Sequence, residues 1–106
     1  MTARFGLAEW IVRDICAAIA AQPQVEEARL FGSRARGDFR PGSDIDIAVH
    51  GKNLDFAAFL DLSARLDDLP ILFKMDIVHL DMLGDSPLCE TIRQESVPLW
   101  SPITLH

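Results

Sequence analysis

Little in the chain marks an exported, membrane-bound or nucleic-acid-coating protein. It has two cysteines, Cys16 and Cys89, in apolar contexts with no CxxC or Cys/His cluster. Neither a disulfide framework nor a zinc site is supported, and a reducing cytoplasm is the expected compartment. Long apolar runs are missing too: the longest, Ile15–Ala21, is far short of the roughly 20 residues that span a bilayer. Glu9, Arg13 and Asp14 break any signal-peptide pattern. Basic residues are scarce, with ten Lys and Arg against sixteen Asp and Glu and a net charge of −6. That balance disfavours direct binding to nucleic acid or to an anionic membrane. Walker A, GxGxxG and EF-hand patterns are absent: Gly32, Gly37 and Gly42 recur every five residues, and Ala48 and Val49 fill positions where a calcium loop needs its next ligand and glycine. There is no internal repeat, low-complexity stretch or linker, and 106 residues with 49% hydrophobic and 25% charged side chains predict one domain spanning 1–106.

What is present reads as a small α/β (α+β) protein, a mixed sheet flanked by helices in the order αβ(turn)βαβα. Leu7, Ile11, Ile15, Ala18 and Ile19 recur at helical spacing over about 6–21, before Pro23. Val25–Phe31 reads as a strand opening into a tight turn at Gly32-Ser33, with a helical turn and loop over 34–43. Asp44–His50 (DIDIAVH) alternates strictly, which sends Ile45, Ile47 and Val49 to one face and Asp44, Asp46, Ala48 and His50 to the other. Asn53 is a candidate N-cap for a helix carrying Phe56, Phe59, Leu60, Ser63 and Leu66. Ile71–Leu80 reads as a buried strand in which Lys74, Asp76 and Val78 share a face. Ser86-Pro87 is the start signal of a last helix, and Val97-Pro98-Leu99-Trp100 is an apolar tail suited to meeting a partner.

The chemistry concentrates in residues 32–46, GSRARGDFRPGSDID. A Gly-Ser at the junction of a strand and a helical turn presents backbone N–H groups and a hydroxyl to one point, as phosphate oxygens require. Asp44 and Asp46 project to one face of a strand about 6.5–7 Å apart at the backbone, and Asp76 is placed to join them from a neighbouring strand. Three gathered carboxylates repel one another unless divalent cations neutralise them, and oxygen ligands beside a phosphate cradle suit Mg²⁺, or Mn²⁺, better than zinc. Two such ions would clamp the attacking and leaving oxygens of a phosphoryl displacement. Arg34, Arg36 and Arg40 cluster beside this site, either as phosphate contacts or as a solvated loop. His50 and His79 lack metal-ligand spacing and are expected in structural or surface roles.

Gly-Ser, ten residues, then Asp-x-Asp resembles the signature of the DNA polymerase beta-like nucleotidyltransferase superfamily, and within it the minimal nucleotidyltransferase (MNT) domain. The likeness runs through LFGSRARG, SDIDIAV, KMDIVHL and SPLCETIRQESVPLW. It implies that Gly32 and Ser33 hold a nucleoside triphosphate, with Arg36 and Ser43 touching phosphate or orienting the loop. It further implies that Asp44, Asp46 and Asp76 bind two Mg²⁺ ions and carry catalysis, Asp76 helping to deprotonate the acceptor hydroxyl. Small MNT domains resemble the antitoxin halves of MNT–HEPN toxin–antitoxin pairs, so the resemblance implies ATP as substrate, AMP transfer to a tyrosine of a HEPN ribonuclease, and a homo- or hetero-oligomer. A core this small also leaves no room for an acceptor-binding lobe, which a partner chain would have to supply. The alternatives are a non-catalytic antitoxin that occludes its partner, and a nucleotidyltransferase acting on a small-molecule hydroxyl.

Overall fold

The computed structural model of the chain describes residues 4–102. Helix α1 (Glu9–Ala20) leads into strand β1 (Glu27–Phe31), the one-turn helix α2 (Ser33–Arg36) and strand β2 (Ile45–His50). Helix α3 (Phe56–Asp67), strand β3 (Met75–His79), a 3₁₀ turn at Leu80–Met82, helix α4 (Pro87–Glu95) and strand β4 (Val97–Trp100) complete the order. The four strands form one mixed sheet in the order β3-β2-β1-β4. β1 runs antiparallel to both β2 and β4, whereas β2 and β3 are parallel. That parallel pair needs a crossover between its strands, and α3 supplies it.

The two faces of the sheet are built differently. In the β1–β2 register Leu30 sits opposite Ile47 and Ala28 opposite Val49. These four and Ile45 are fully buried, in one apolar cluster with Ile11, Ile15 and Ile19 of α1 and Leu62 and Leu66 of α3. The other face carries Glu27, Arg29 and Phe31 opposite His50, Ala48 and Asp46. Its cover is α4, whose Cys89 and Ile92 are buried, with Ala48, outside the main cluster. The C-cap residue of α4 is held to β1: the Arg29 guanidinium donates to the Ser96 hydroxyl at 2.7 Å and to its carbonyl at 3.2 Å.

Several boundaries move for identifiable reasons. α1 begins at Glu9 because Arg4 and Leu7 exchange backbone hydrogen bonds of 3.0 and 2.8 Å around Phe5 and Gly6, both with positive φ. Helix α3 is capped by Asp55, not Asn53: the Asp55 carboxylate accepts from the Ala58 N–H at 2.8 Å, while Leu54 N–H closes a turn onto Gly51. β3 is an edge strand and not a fully buried one, with only His79 of its five residues buried; the preceding Leu72 is wholly exposed. The Ser86-Pro87 start of α4 is as expected, the Ser86 hydroxyl accepting from the Cys89 N–H. The apolar tail is a strand: Val97 pairs with Leu30 and Trp100 with Ala28. Its Pro98, which has no N–H to donate, sits on an edge strand, where proline is tolerated. Leu99 faces the core, and its carbonyl accepts from the Cys16 thiol at 3.6 Å.

Candidate active site

β1 ends at Phe31, opposite Asp46, and the chain turns at once through Gly32. Its φ of 76° and ψ of −157° lie in a region open essentially to glycine alone. A Cβ there would fall 2.3 Å from the Asp46 Oδ2. Gly32 is thus required twice over, once by its backbone and once because the Asp46 carboxylate occupies the space a side chain would fill. The α2 turn that follows, opened by Ser33, has no side-chain cap at its N-terminus.

On the other side of Asp46 stands Asp76. Parallel pairing of β2 and β3 puts the two in direct register, so their side chains share a face. Burial pushes the Asp46 carboxyl above its ordinary range, and the charges of Asp76 and Asp44, with a hydrogen bond to Asp76, push it the same way; only Arg36 opposes. Lys74 reaches Asp76 at 3.8 Å with both side chains well exposed, a weak pair in water. Asp44 precedes the strand and acts on Asp46 through its charge. No three His, Cys, Asp or Glu side chains among the described residues converge closely enough to cage a metal ion. The donor set nevertheless fits a hard divalent cation, being all oxygen, with one half-buried carboxyl whose charge its carboxylate neighbours disfavour.

The remaining motif residues take distinct places. Arg36 is exposed and donates to Asp38 at 3.2 Å and Glu95 at 3.1 Å, which joins α2 to the end of α4. The Ser43 hydroxyl accepts from the Arg40 N–H at 2.9 Å, and Ser43 N–H donates back to the Arg40 carbonyl at 3.0 Å, closing the loop before Asp44. Arg34 is not part of a solvated loop: it is 3% exposed. Its signal in the sequence was faint, since its contacts, Phe5, Phe39, Ser43 and Phe73, are scattered.

His50 and His79 make structural contacts. His79 bonds the Leu54 carbonyl at 2.5 Å and packs tilted against Phe59, with ring centroids 5.4 Å apart. His50 Nδ1 meets Asp81 at 2.9 Å, and Asp81 also accepts from the Gly51 N–H at 2.9 Å. A cavity of about 380 Å³ lies there, lined by His50, Leu80, Asp81, Gly84, Asp85, Cys89 and Arg93. Neither the Gly32-Ser33 turn nor the three motif carboxylates line it.

The Gly32 turn is thus pressed against Asp46, the first of two carboxylates paired across neighbouring strands. The family model described as polymerase beta, nucleotidyltransferase, matches residues 13–102. The chain belongs to that family. It is a nucleotidyltransferase by family and fold. A chain of a toxin–antitoxin complex crystallised with AMP-PNP is 29% identical with a TM-score of 0.68, over 85% of this chain and 73% of that one. A chain from the complex of tri-AMPylated Shewanella oneidensis HEPN toxin with MNT antitoxin is 26% identical with a TM-score of 0.64, over 88% and 71%. A structure assigned as a minimal nucleotidyltransferase is 28% identical with a TM-score of 0.58, over 92% of this chain and 97% of that one. No curated protein matches the sequence. Among the described residues no helix is long and apolar enough to cross a membrane.

Proposed function

We propose that this chain transfers AMP from ATP to a tyrosine hydroxyl of a HEPN-type ribonuclease partner, as the antitoxin of a toxin–antitoxin pair. The observation that carries the reading is the position of Asp46, wedged between the Gly32 turn and Asp76. Support for the substrate and partner comes from similar structures, one holding AMP-PNP with a toxin–antitoxin pair and one a tri-AMPylated HEPN toxin beside its MNT antitoxin.

Gly32 and Ser33 take the triphosphate, the turn offering backbone N–H groups and a hydroxyl to its oxygens. Asp44, Asp46 and Asp76 would hold Mg²⁺, which when bound neutralises phosphate charge and favours in-line displacement. The acceptor oxygen attacks the α-phosphorus, the bond to the bridging oxygen breaks, and pyrophosphate leaves. The proton released from the acceptor hydroxyl passes to the carboxylate of Asp76, at the exposed edge of the group. Arg36, exposed and close enough for its charge to act on Asp46, exchanges an acidic partner for a phosphate oxygen. Ser43 keeps the loop closed.

The test is to co-express the chain with the product of the adjacent gene and to weigh that partner by intact-protein mass spectrometry. A partner heavier by one or more AMP units with the intact chain, and unmodified with Asp44→Asn/Asp46→Asn, is the expected result, the loss of transfer being roughly 10³–10⁴-fold. A stable complex with an unmodified partner in both cases would overturn the reading in favour of occlusion. Transfer only to added small hydroxyl compounds would replace the acceptor.

A further inference from the structure

Among the described residues Arg34 is the single Lys, Arg, Asp or Glu that is buried, and no ion pair includes it. Burying a guanidinium without a counter-charge is costly unless its donors are satisfied and its faces covered. Each of its three nitrogens donates one hydrogen bond, and two aromatic rings lie against it. Nε and Nη2 donate to the Ser43 carbonyl at 3.1 and 2.9 Å, and Nη1 donates to the Phe5 carbonyl at 3.0 Å. The rings of Phe39 and Phe73 lie 5.1 and 4.8 Å from the guanidinium carbon, cation–π contacts of the kind that favour arginine over lysine.

The placement of these partners has a consequence for the site. Arg34 follows Ser33 directly, and the Ser43 carbonyl belongs to the peptide that leads into Asp44. Phe73 stands three residues before Asp76, on the approach to β3. We infer that Arg34 is a positioning residue for nucleotidyl transfer: its fork locks the Gly32-Ser33 turn to the backbone entering Asp44 and so sets the distance between phosphate cradle and carboxylates. This rests on the assignment of those groups made under the proposed function. Arg34 does not bind phosphate itself, since the side chain is closed to solvent and each of its nitrogens already donates to a backbone carbonyl.

The test compares Arg34→Lys, which keeps the charge and loses the fork, and Phe39→Leu, which keeps the fork and removes one ring. Both are made in the full chain. Amide hydrogen exchange over residues 37–46 is expected to quicken at least about 10-fold in Arg34→Lys, with α1 and α3 unchanged. In the transfer assay with Mg²⁺ and ATP, kcat falls about 100-fold while KM for ATP moves less than about threefold. Phe39→Leu shows the same pattern at smaller amplitude, and it carries the test if Arg34→Lys does not fold. Unchanged exchange in the loop overturns the clamp. Wild-type kcat in Arg34→Lys overturns it too, because charge alone would then suffice, and a rise in KM with kcat retained would make Arg34 a phosphate contact. Should the wild-type chain transfer nothing, the proposed function fails and Arg34 loses its role in transfer, whereas the exchange measurement still decides whether the clamp exists.

Discussion

The two faces of this sheet reach their order by different means. Toward α1 and α3, Leu30, Ile45, Ile47 and Val49 are packed with no access to water, and any one of them is one apolar side chain among many. Toward the carboxylates the chain is held by individual polar contacts: Arg29 to Ser96, Arg36 to Glu95, Arg34 to Ser43 and Phe5, Asp81 to His50 and Gly51. An apolar core spreads its stability over many weak contacts, so it tolerates change by degrees. A face built from single bonds concentrates its order at named atoms.

Three substitutions would break or sharpen that contrast. The largest effect on stability belongs to the apolar face: Leu62→Ala, at a site with no solvent exposure, is expected to cost about 2–5 kcal/mol. Chemical denaturation should show this as a lower midpoint, while activity per folded molecule stays at the wild-type level; an equal loss of specific activity would mean that the faces are not separable. Gly32→Ala comes next. A methyl group 2.3 Å from Asp46 Oδ2 on a backbone that only glycine adopts readily costs about 1–3 kcal/mol. Its larger signature is a displaced Asp46, read as a drop in transfer about 100-fold in the assay that follows AMP on the partner. The smallest is Asp81→Asn. Burial raises the Asp81 carboxyl, but the Gly51 N–H, His50 and His79 together outweigh it and hold the group below its ordinary range. A depressed carboxyl contributes stability at pH above its unfolded value, about 3.9, and loses that contribution as pH falls through the folded value. The side chain is 36% exposed, so solvent screening leaves only about 0.5 kcal/mol. Thermal melts of the two proteins should therefore differ at pH 7 and converge on acidification below pH ~3.9.

The apolar face was the more legible in sequence because its signal is periodic. DIDIAVH alternates over its whole length, and the burial of Ile45, Ile47 and Val49 follows from that. The meeting of Asp46 with Asp76 was legible too, since two strands joined through a helix are expected to run parallel and bring like positions side by side. Three features were not. Val97–Trp100 is four residues long and contains a proline, and its partner β1 lies far away in the chain, so nothing local distinguishes it from an apolar tail. Asn53 and Asp55 are both good caps, and only the Gly51–Leu54 turn decides between them. The burial of Arg34 depends on two rings and two carbonyls from three separate segments, a pattern with no period to detect.

That scatter bears on how the sequence can change over time. Phe39 and Phe73 share one guanidinium, so a replacement of either ring alters what is tolerated at the other and at Arg34, and the effects will not add. A lineage that lost Arg34 would release both rings at once, leaving them free to drift or to be recruited elsewhere. The three positions Arg34, Phe39 and Phe73 are therefore expected to change together or not at all, and that correlated drift would be read in related sequences as coupling among segments that look unrelated along the chain.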